Sequence, residues 1–194
     1  MSGSLEAYLI KPIGVESKMS LLVLYKSMLE ILPRNGVAQS PFYDQGLRFS
    51  CIRCSVCCRH ESGYVFLSEK DASLLGRSLN MGYREFTEAF CRWVPSSGGT
   101  EMLSLREKAN YDCILWDTGG FKGGCSVYES RPLQCRAFPF WSSVVSSREN
   151  WKMTAALCPG MDRGVLHSPN SIEKWLALRE REPIIERTKN KGVT

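Results

Sequence analysis

The stretch that decides this fold is Cys51-Ile52-Arg53-Cys54-Ser55-Val56-Cys57-Cys58. Three of its cysteines recur every third residue, and the fourth directly follows the third. In a loop or short helical turn, Cys51, Cys54 and Cys57 converge on one centre, as in the ferredoxin-type runs that bind an iron–sulfur cluster. Because adjacent side chains point in divergent directions, we expect Cys58 to turn toward a second centre.

The remaining cysteines allow two sites of four thiolates. Of the nine cysteines in the chain, four further ones are candidate ligands: Cys113, Cys125, Cys135 and Cys158. We predict one centre with Cys51, Cys54, Cys57 and Cys158, and another with Cys58, Cys113, Cys125 and Cys135. The ninth cysteine, Cys91, lies beside an aromatic stripe of a predicted helix, and we assign it to packing.

Disulfides, redox thiols and simple core packing are the other uses of cysteine. The odd number of cysteines and the strain of a Cys57–Cys58 bridge disfavour a disulfide framework. No secretory signal is recognisable in the sequence, so we expect a reducing cytoplasm. Metal or cluster ligation is therefore the favoured interpretation.

The spacing bears on which metal is bound. A tight C-x2-C-x2-C run with one remote cysteine, followed by proline as in Cys158-Pro159, resembles the ligand set of a [4Fe–4S] cluster. Four-cysteine zinc sites usually use two short C-x2-4-C pairs, and only one arm here has tight spacing. Scattered cysteines also suit zinc, including compact two-metal sites. Spacing favours iron–sulfur, and zinc stays open.

The composition indicates a folded domain, and several of its basic residues lie next to the candidate ligands. The chain has 194 residues, 43% hydrophobic and 23% charged, and a net charge of +5. Arg53, Arg59 and Arg136 adjoin candidate ligands, and Arg131 lies about one helical turn from Cys135. These cations would offset thiolate charge, so no nucleic-acid partner is inferred. The apolar run at residues 21–25 is too short to span a membrane.

The sequence divides into four segments. We expect a flexible N-terminal arm at residues 1–18, with Met19 as an alternative start, and an N-terminal helix and linker at residues 19–48. The cysteine-cluster metal-binding domain follows at residues 49–161, and a C-terminal loop and helix occupy residues 162–194. The fold class is α+β: a small irregular cysteine-cluster core of short strands and a hairpin, flanked by N- and C-terminal helices and stabilised by metal.

Local patterns predict the elements that carry the ligands. Ser68 and Asp71 form a capping signature for a helix, and a second helix with an aromatic stripe runs from Tyr83 to Trp93. Strands are predicted at residues 63–67, 102–105 and 111–116, and a glycine-rich turn at residues 117–124 places Cys125 opposite Cys113. Pro132 begins a short helix that carries Cys135. A polar loop then leads to an amphipathic helix around residues 172–176, broken at Pro183.

One resemblance covers about residues 49–161. It rests on Cys51-x2-Cys54-x2-Cys57-Cys58, then Cys113, then Cys125-x2-Tyr128-x2-Arg131-Pro132-x2-Cys135-Arg136-x-Phe138-Pro139, then Cys158-Pro159-Gly160. This pattern resembles the bacterial YkgJ-type cysteine-cluster family, the CxxCxxCC domain, described as zinc- or iron-chelating. The resemblance implies that the eight cysteines are metal ligands and that Arg131 and Arg136 surround the cofactor. Cys91 has no counterpart in the motif.

Three functions are consistent with these residues. The first is an iron–sulfur protein that serves electron transfer or the maturation of another protein, and the second is a zinc-stabilised module that binds a protein partner. The third is a cluster-dependent protein-modifying enzyme, linked to methylation by analogy, since some proteins with this cysteine cluster resemble flagellin lysine methylases. Radical adenosylmethionine chemistry needs C-x3-C-x2-C, and Glu61 stands where the third cysteine would be. His60 and His167 suggest no acid–base pair.

Overall fold

Short helices and small antiparallel sheets alternate along the chain, which makes the fold α+β. The computed structural model describes residues 40–59, 61–119 and 124–188, and Gln39–Thr194 form one compact unit. The helices are α1 (Glu69–Ser78), α2 (Tyr83–Phe90), α3 (Leu133–Ala137), α4 (Ser142–Val145), α5 (Arg148–Ala155) and α6 (Pro169–Arg181). The strands are β1 (Leu47–Phe49), β2 (Cys91–Pro95), β3 (Thr100–Leu105), β4 (Trp116–Asp117), β5 (Gly124–Cys125), β6 (Met161–His167) and β7 (Glu186–Thr188).

The first hydrophobic core lies between α1, α2 and the sheet β2-β3-β7. The predicted cap is confirmed, because Ser68 Oγ accepts from the Asp71 N–H while Asp71 Oδ2 accepts from the Ser68 N–H, each at 3.1 Å. The capped helix buries its apolar face against α2. The buried members of this core include Leu67, Leu75, Phe86, Cys91, Leu103 and Leu115.

Two predicted elements of this half are corrected. The predicted helix from Tyr83 to Trp93 ends at Phe90, and Cys91 begins β2, which pairs with β3 from Cys91↔Leu105 to Pro95↔Glu101. Backbone pairing with β3 overrides the helical spacing of the aromatic residues. Periodicity alone cannot distinguish a helix from a strand in such a short apolar run. The predicted strand at residues 63–67 is limited to a bridge between Phe66 and Ser104.

The second core packs α4, α5 and α6 against the β1–β6 pair. Its buried residues include Tyr43, Phe140, Val144, Trp151, Met161 and Ile172. The predicted helix around residues 172–176 is confirmed as α6, which ends at Arg181, before Pro183. The predicted polar loop after Cys158 is wrong, since β6 pairs there with β1. Most of β6 is exposed, so the strand carries no apolar alternation that would mark it in the sequence.

The predicted strand at residues 111–116 is also corrected. Only Trp116–Asp117 is a strand, and Trp116, not Cys113, lies opposite Cys125. Cys113 instead forms an isolated bridge with Glu107. No helix in the described part of the chain is long and apolar enough to cross a membrane.

Several sequence predictions fall outside the described residues. They concern the N-terminal arm, the N-terminal helix, His60, the centre of the glycine-rich turn at residues 120–123, and the last six residues, 189–194.

Candidate metal centre

The cysteine stretch is an exposed loop fastened at its start to the segment after Cys158. The Ser50 N–H donates to the Gly160 carbonyl at 3.1 Å, and the Val165 N–H donates to Ser50 Oγ at 3.0 Å. A Cβ on Gly160 would lie 2.4 Å from the Ser50 carbonyl oxygen, so only glycine allows this approach. The fastening brings Cys51 and Cys158 to the same part of the molecule.

The loop turns sharply between its cysteines. Arg53 and Ser55 both have left-handed backbone conformations, with φ of 56° and 63°. A short 3-10 turn at Val56–Cys58 follows, closed by a 2.9 Å bond from the Cys58 N–H to the Ser55 carbonyl. Cys51, Cys54 and Cys57 are exposed, whereas Cys58 is half-buried.

The vicinal sulfurs lie closer together than the sequence predicted. Cys57 Sγ and Cys58 Sγ are 3.7 Å apart, so the expected divergence of the two side chains is wrong. The contact with Cys58 lowers the pKa of the Cys57 thiol to about 7, with help from the Arg131 charge. The same contact, together with burial, raises the pKa of the Cys58 thiol. Of the two thiols, Cys57 is therefore the one that ionises first.

Cys58 faces a second set of half-buried thiols. The Cys113 N–H donates to the Cys58 carbonyl at 2.8 Å, which joins these distant segments. The charges of Cys135 and Cys113 add to the rise in the Cys58 pKa. Burial raises the pKa of the Cys135 thiol, and Cys113, Cys57 and Cys125 raise it further. Cys113 and Cys125 are neighbours although their backbones are out of register.

A set of hydrogen bonds, one of them buried, positions Cys135 on α3. Asp71 Oδ1 accepts from the Leu133 N–H at 2.8 Å, which anchors the first residue of the helix to α1. Gln134 Oε1 accepts from the Phe66 N–H at 2.9 Å, and its Nε2 donates to the Tyr64 carbonyl at 2.7 Å. Pro132 immediately precedes α3, as its fixed backbone angle favours.

Backbone N–H groups near three of the candidate ligands act to lower the thiol pKa. They belong to Leu115 and Trp116 beside Cys113, to Val127 beside Cys125, and to Gly160 and Met161 beside Cys158. In each case burial, the larger effect, raises the thiol pKa and these N–H groups lower it. Cys91 differs, because burial raises its pKa to about 12 and the opposing effect is the Arg106 charge. Donors two or three residues after a cysteine stabilise a thiolate and are typical of metal ligands.

These electrostatic contacts fall into two overlapping groups. One joins Cys158 to Cys54 and Cys57, and the other joins Cys58, Cys113, Cys125 and Cys135. Cys57 interacts with both, since it also acts on Cys125 and Cys135. Among the described residues, no three or more His, Cys, Asp or Glu side chains stand close enough together to hold a metal ion as they are placed.

The neighbouring arginines stack on aromatic rings beside the thiols. Tyr128 lies between two guanidinium groups, with Arg53 3.9 Å and Arg131 3.7 Å from the ring centre. Arg131 Nε also donates to the Tyr128 carbonyl, and Arg136 Nε donates to the Arg131 carbonyl. The Arg131 charge helps to lower the pKa of Cys57, and it opposes the larger effect of burial, which raises the pKa of Cys125 and Cys135. These contacts hold a cation beside the thiols, as charge compensation requires.

Sequence reasoning missed the residues that support the site. Asp71 was predicted only to cap a helix, and Tyr128 was named only as one residue of the sequence motif. His167, predicted in a loop, ends β6, with its Nε2 3.1 Å from the Phe49 carbonyl and its ring on Phe140. The contacts of Asp71 and His167 join segments far apart in the chain, so no local sequence pattern predicts them. For Tyr128, the spacing of the surrounding motif was the one indication in the sequence.

Comparison with known proteins identifies the family of the segment that carries these cysteines. The family model "CxxCxxCC: Putative zinc- or iron-chelating domain" matches residues 50–159. A protein of Methanocaldococcus jannaschii, named Uncharacterized protein MJ0661, is 27% identical over 123 residues, which are 63% of this chain. The matched segment spans 59% of that relative. No solved structure matches the chain significantly.

Proposed function

Because the chain belongs to the CxxCxxCC family, we propose that its clustered cysteines hold two adjacent metal centres with four thiolate ligands each. The observation that carries this proposal is the pair of overlapping thiol groups joined at Cys57 and Cys58. Eight clustered thiolates suit zinc or iron, because both metals bind well to sulfur ligands. Arginines stacked beside the thiols fit the negative charge that such centres carry.

The contacts support a division of the eight cysteines into two ligand sets. Ser50 brings Cys51 beside the Cys158 segment, which supports a centre of Cys51, Cys54, Cys57 and Cys158. The half-buried thiols of Cys58, Cys113, Cys125 and Cys135 would form the other. Binding requires the thiols to draw together, and Cys51, Cys54 and Cys57 lie on an exposed loop rather than in either hydrophobic core. The bound metals would then join the two hydrophobic cores, so they would stabilise the domain.

The favoured activity is that of an iron–sulfur protein that transfers electrons or matures another protein. A [4Fe–4S] cluster would supply one-electron chemistry when bound. The chain's own residues suit that role: Cys51, Cys54 and Cys57 are exposed, which would keep a centre within reach of a protein partner. Backbone N–H donors at Cys113, Cys125 and Cys158 and the Arg131 cation would stabilise the added negative charge. We expect this partner in a reducing cytoplasm.

The second candidate is a zinc-stabilised interaction module. Its support is the 3.7 Å separation of the Cys57 and Cys58 sulfurs. Four sulfurs in a tetrahedron about 2.3 Å from a zinc ion are roughly 3.8 Å apart, so both thiols fit the shell of one ion. In a [4Fe–4S] cluster each thiolate binds a different iron, which separates the sulfurs more widely.

Metal and inorganic sulfide analysis of anaerobically isolated protein tests both candidates. Iron with matching sulfide and broad visible absorption would support the iron–sulfur protein. Zinc without sulfide would support the interaction module and refute the first. Protein that folds without either metal would refute both.

A further inference from the structure

A buried indole N–H beside the candidate centre lacks an acceptor. Trp116 is 7% exposed, and its Nε1 has no hydrogen-bond partner among the described residues. Buried tryptophan N–H groups are normally bonded, because leaving a donor unsatisfied costs on the order of 1–3 kcal/mol. Such a donor calls for an acceptor beyond the described residues, such as a water or a bound ion.

Trp116 lies beside candidate ligands of the metal centre. Trp116 lies directly opposite Cys125 in the β4–β5 pair, and directly opposed residues share a face of the sheet. Its backbone N–H donates to the Cys113 carbonyl at 2.9 Å. Two candidate ligands therefore flank the indole.

The Arg59 guanidinium stacks on the indole ring of Trp116. The Arg59 guanidinium lies 3.9 Å from the Trp116 ring centre, and Arg59 directly follows Cys58 in the chain. An ion pair of 3.1 Å with the buried Asp112 carboxylate holds the guanidinium. A cation over an indole withdraws electron density from the ring, which makes its N–H a stronger donor.

We propose that the Trp116 indole N–H donates a hydrogen bond to the metal-thiolate centre of Cys58, Cys113, Cys125 and Cys135. The acceptor is a ligand sulfur or a bridging sulfide of that centre, both of which carry negative charge when metal is bound. Trp116 is thus a positioning residue that stabilises the charge of the centre and slows the loss of metal. This inference rests on the proposed function, since it requires metal at these cysteines.

The experiment measures metal release from anaerobically isolated, metal-loaded protein into excess chelator. It compares the wild type with Trp116→Phe and with a semisynthetic protein whose residue 116 is the benzothiophene isostere of tryptophan. That isostere keeps the size of the ring and lacks the N–H. The matched control is Trp93→Phe, because Trp93 is also stacked by an arginine, Arg187 at 4.1 Å, but lies on β2.

We expect both position-116 changes to release metal about tenfold faster, and Trp93→Phe to stay within about twofold of the wild type. The thiolate-to-metal absorption of the isostere protein should also shift to longer wavelength, in the native iron protein or after cobalt(II) replaces zinc. A wild-type release rate and spectrum for the isostere would overturn the inference, even if Trp116→Phe released metal faster. Protein without metal would instead refute the proposed function.

Discussion

Asp71 supports the candidate site without being a candidate ligand. Its replacement therefore tests how much the site depends on the anchoring of α3. Its carboxylate is 1% exposed and accepts three hydrogen bonds: 2.8 Å from the Leu133 N–H, 3.1 Å from the Ser68 N–H and 2.8 Å from Ser68 Oγ. The first of these bonds holds the start of α3, which carries Cys135. We therefore predict that Asp71→Ala both destabilises the domain and loosens the Cys135 ligand.

The magnitude follows from the groups left behind. Asp71→Ala leaves two buried backbone N–H groups unsatisfied, each at about 1–3 kcal/mol, while the Ser68 hydroxyl can rotate to another partner. Part of this cost is recovered if water enters, so we expect a loss of about 3–5 kcal/mol in the free energy of unfolding. Asp71→Asn keeps an acceptor oxygen for Leu133 and should lose roughly half as much.

Urea unfolding of the metal-loaded protein, followed by circular dichroism, measures this loss, and metal analysis gives the metal-to-protein ratio. Asp117→Ala is the matched control, because Asp117 Oδ1 also accepts a backbone N–H, that of Gly119 at 3.1 Å, but is exposed. Surface changes of this kind stay within about 0.5 kcal/mol. Equal stability of the two variants would refute the anchoring role of Asp71.

Three further predictions concern the metal itself. Cys58→Ser should lose one centre, whereas Cys91→Ser should keep the full metal-to-protein ratio and lose only about 1–3 kcal/mol of stability; equal metal loss would make Cys91 a ligand. Metal removal by chelator should leave the domain largely unfolded or molten, and an NMR spectrum that keeps native dispersion would contradict this coupling. Arg131→Gln should release metal about tenfold faster, measured against the exposed Arg84→Gln, because the charge that offsets the thiolates is lost.

The sequence alone determined the candidate ligands and their class of chemistry. Cysteine spacing is a local property, and the geometry of thiolate ligation restricts which spacings occur, so the eight cysteines and the family could be identified without coordinates. The Ser68 cap and α6 were predictable for the same reason, since hydrogen bonds and periodicity within a few residues specify them.

Only the tertiary structure decided how these residues meet. The helix α2 ends at Phe90 and β2 begins at Cys91 because residues 91–95 pair with β3. The helical spacing of the aromatic residues does not predict this pairing. Likewise Cys57 and Cys58 approach within 3.7 Å, Asp71 reaches Leu133, and Trp116 lies opposite Cys125. Each of these contacts depends on turns or on segments distant in sequence, whose approach is selected by burial of the whole core.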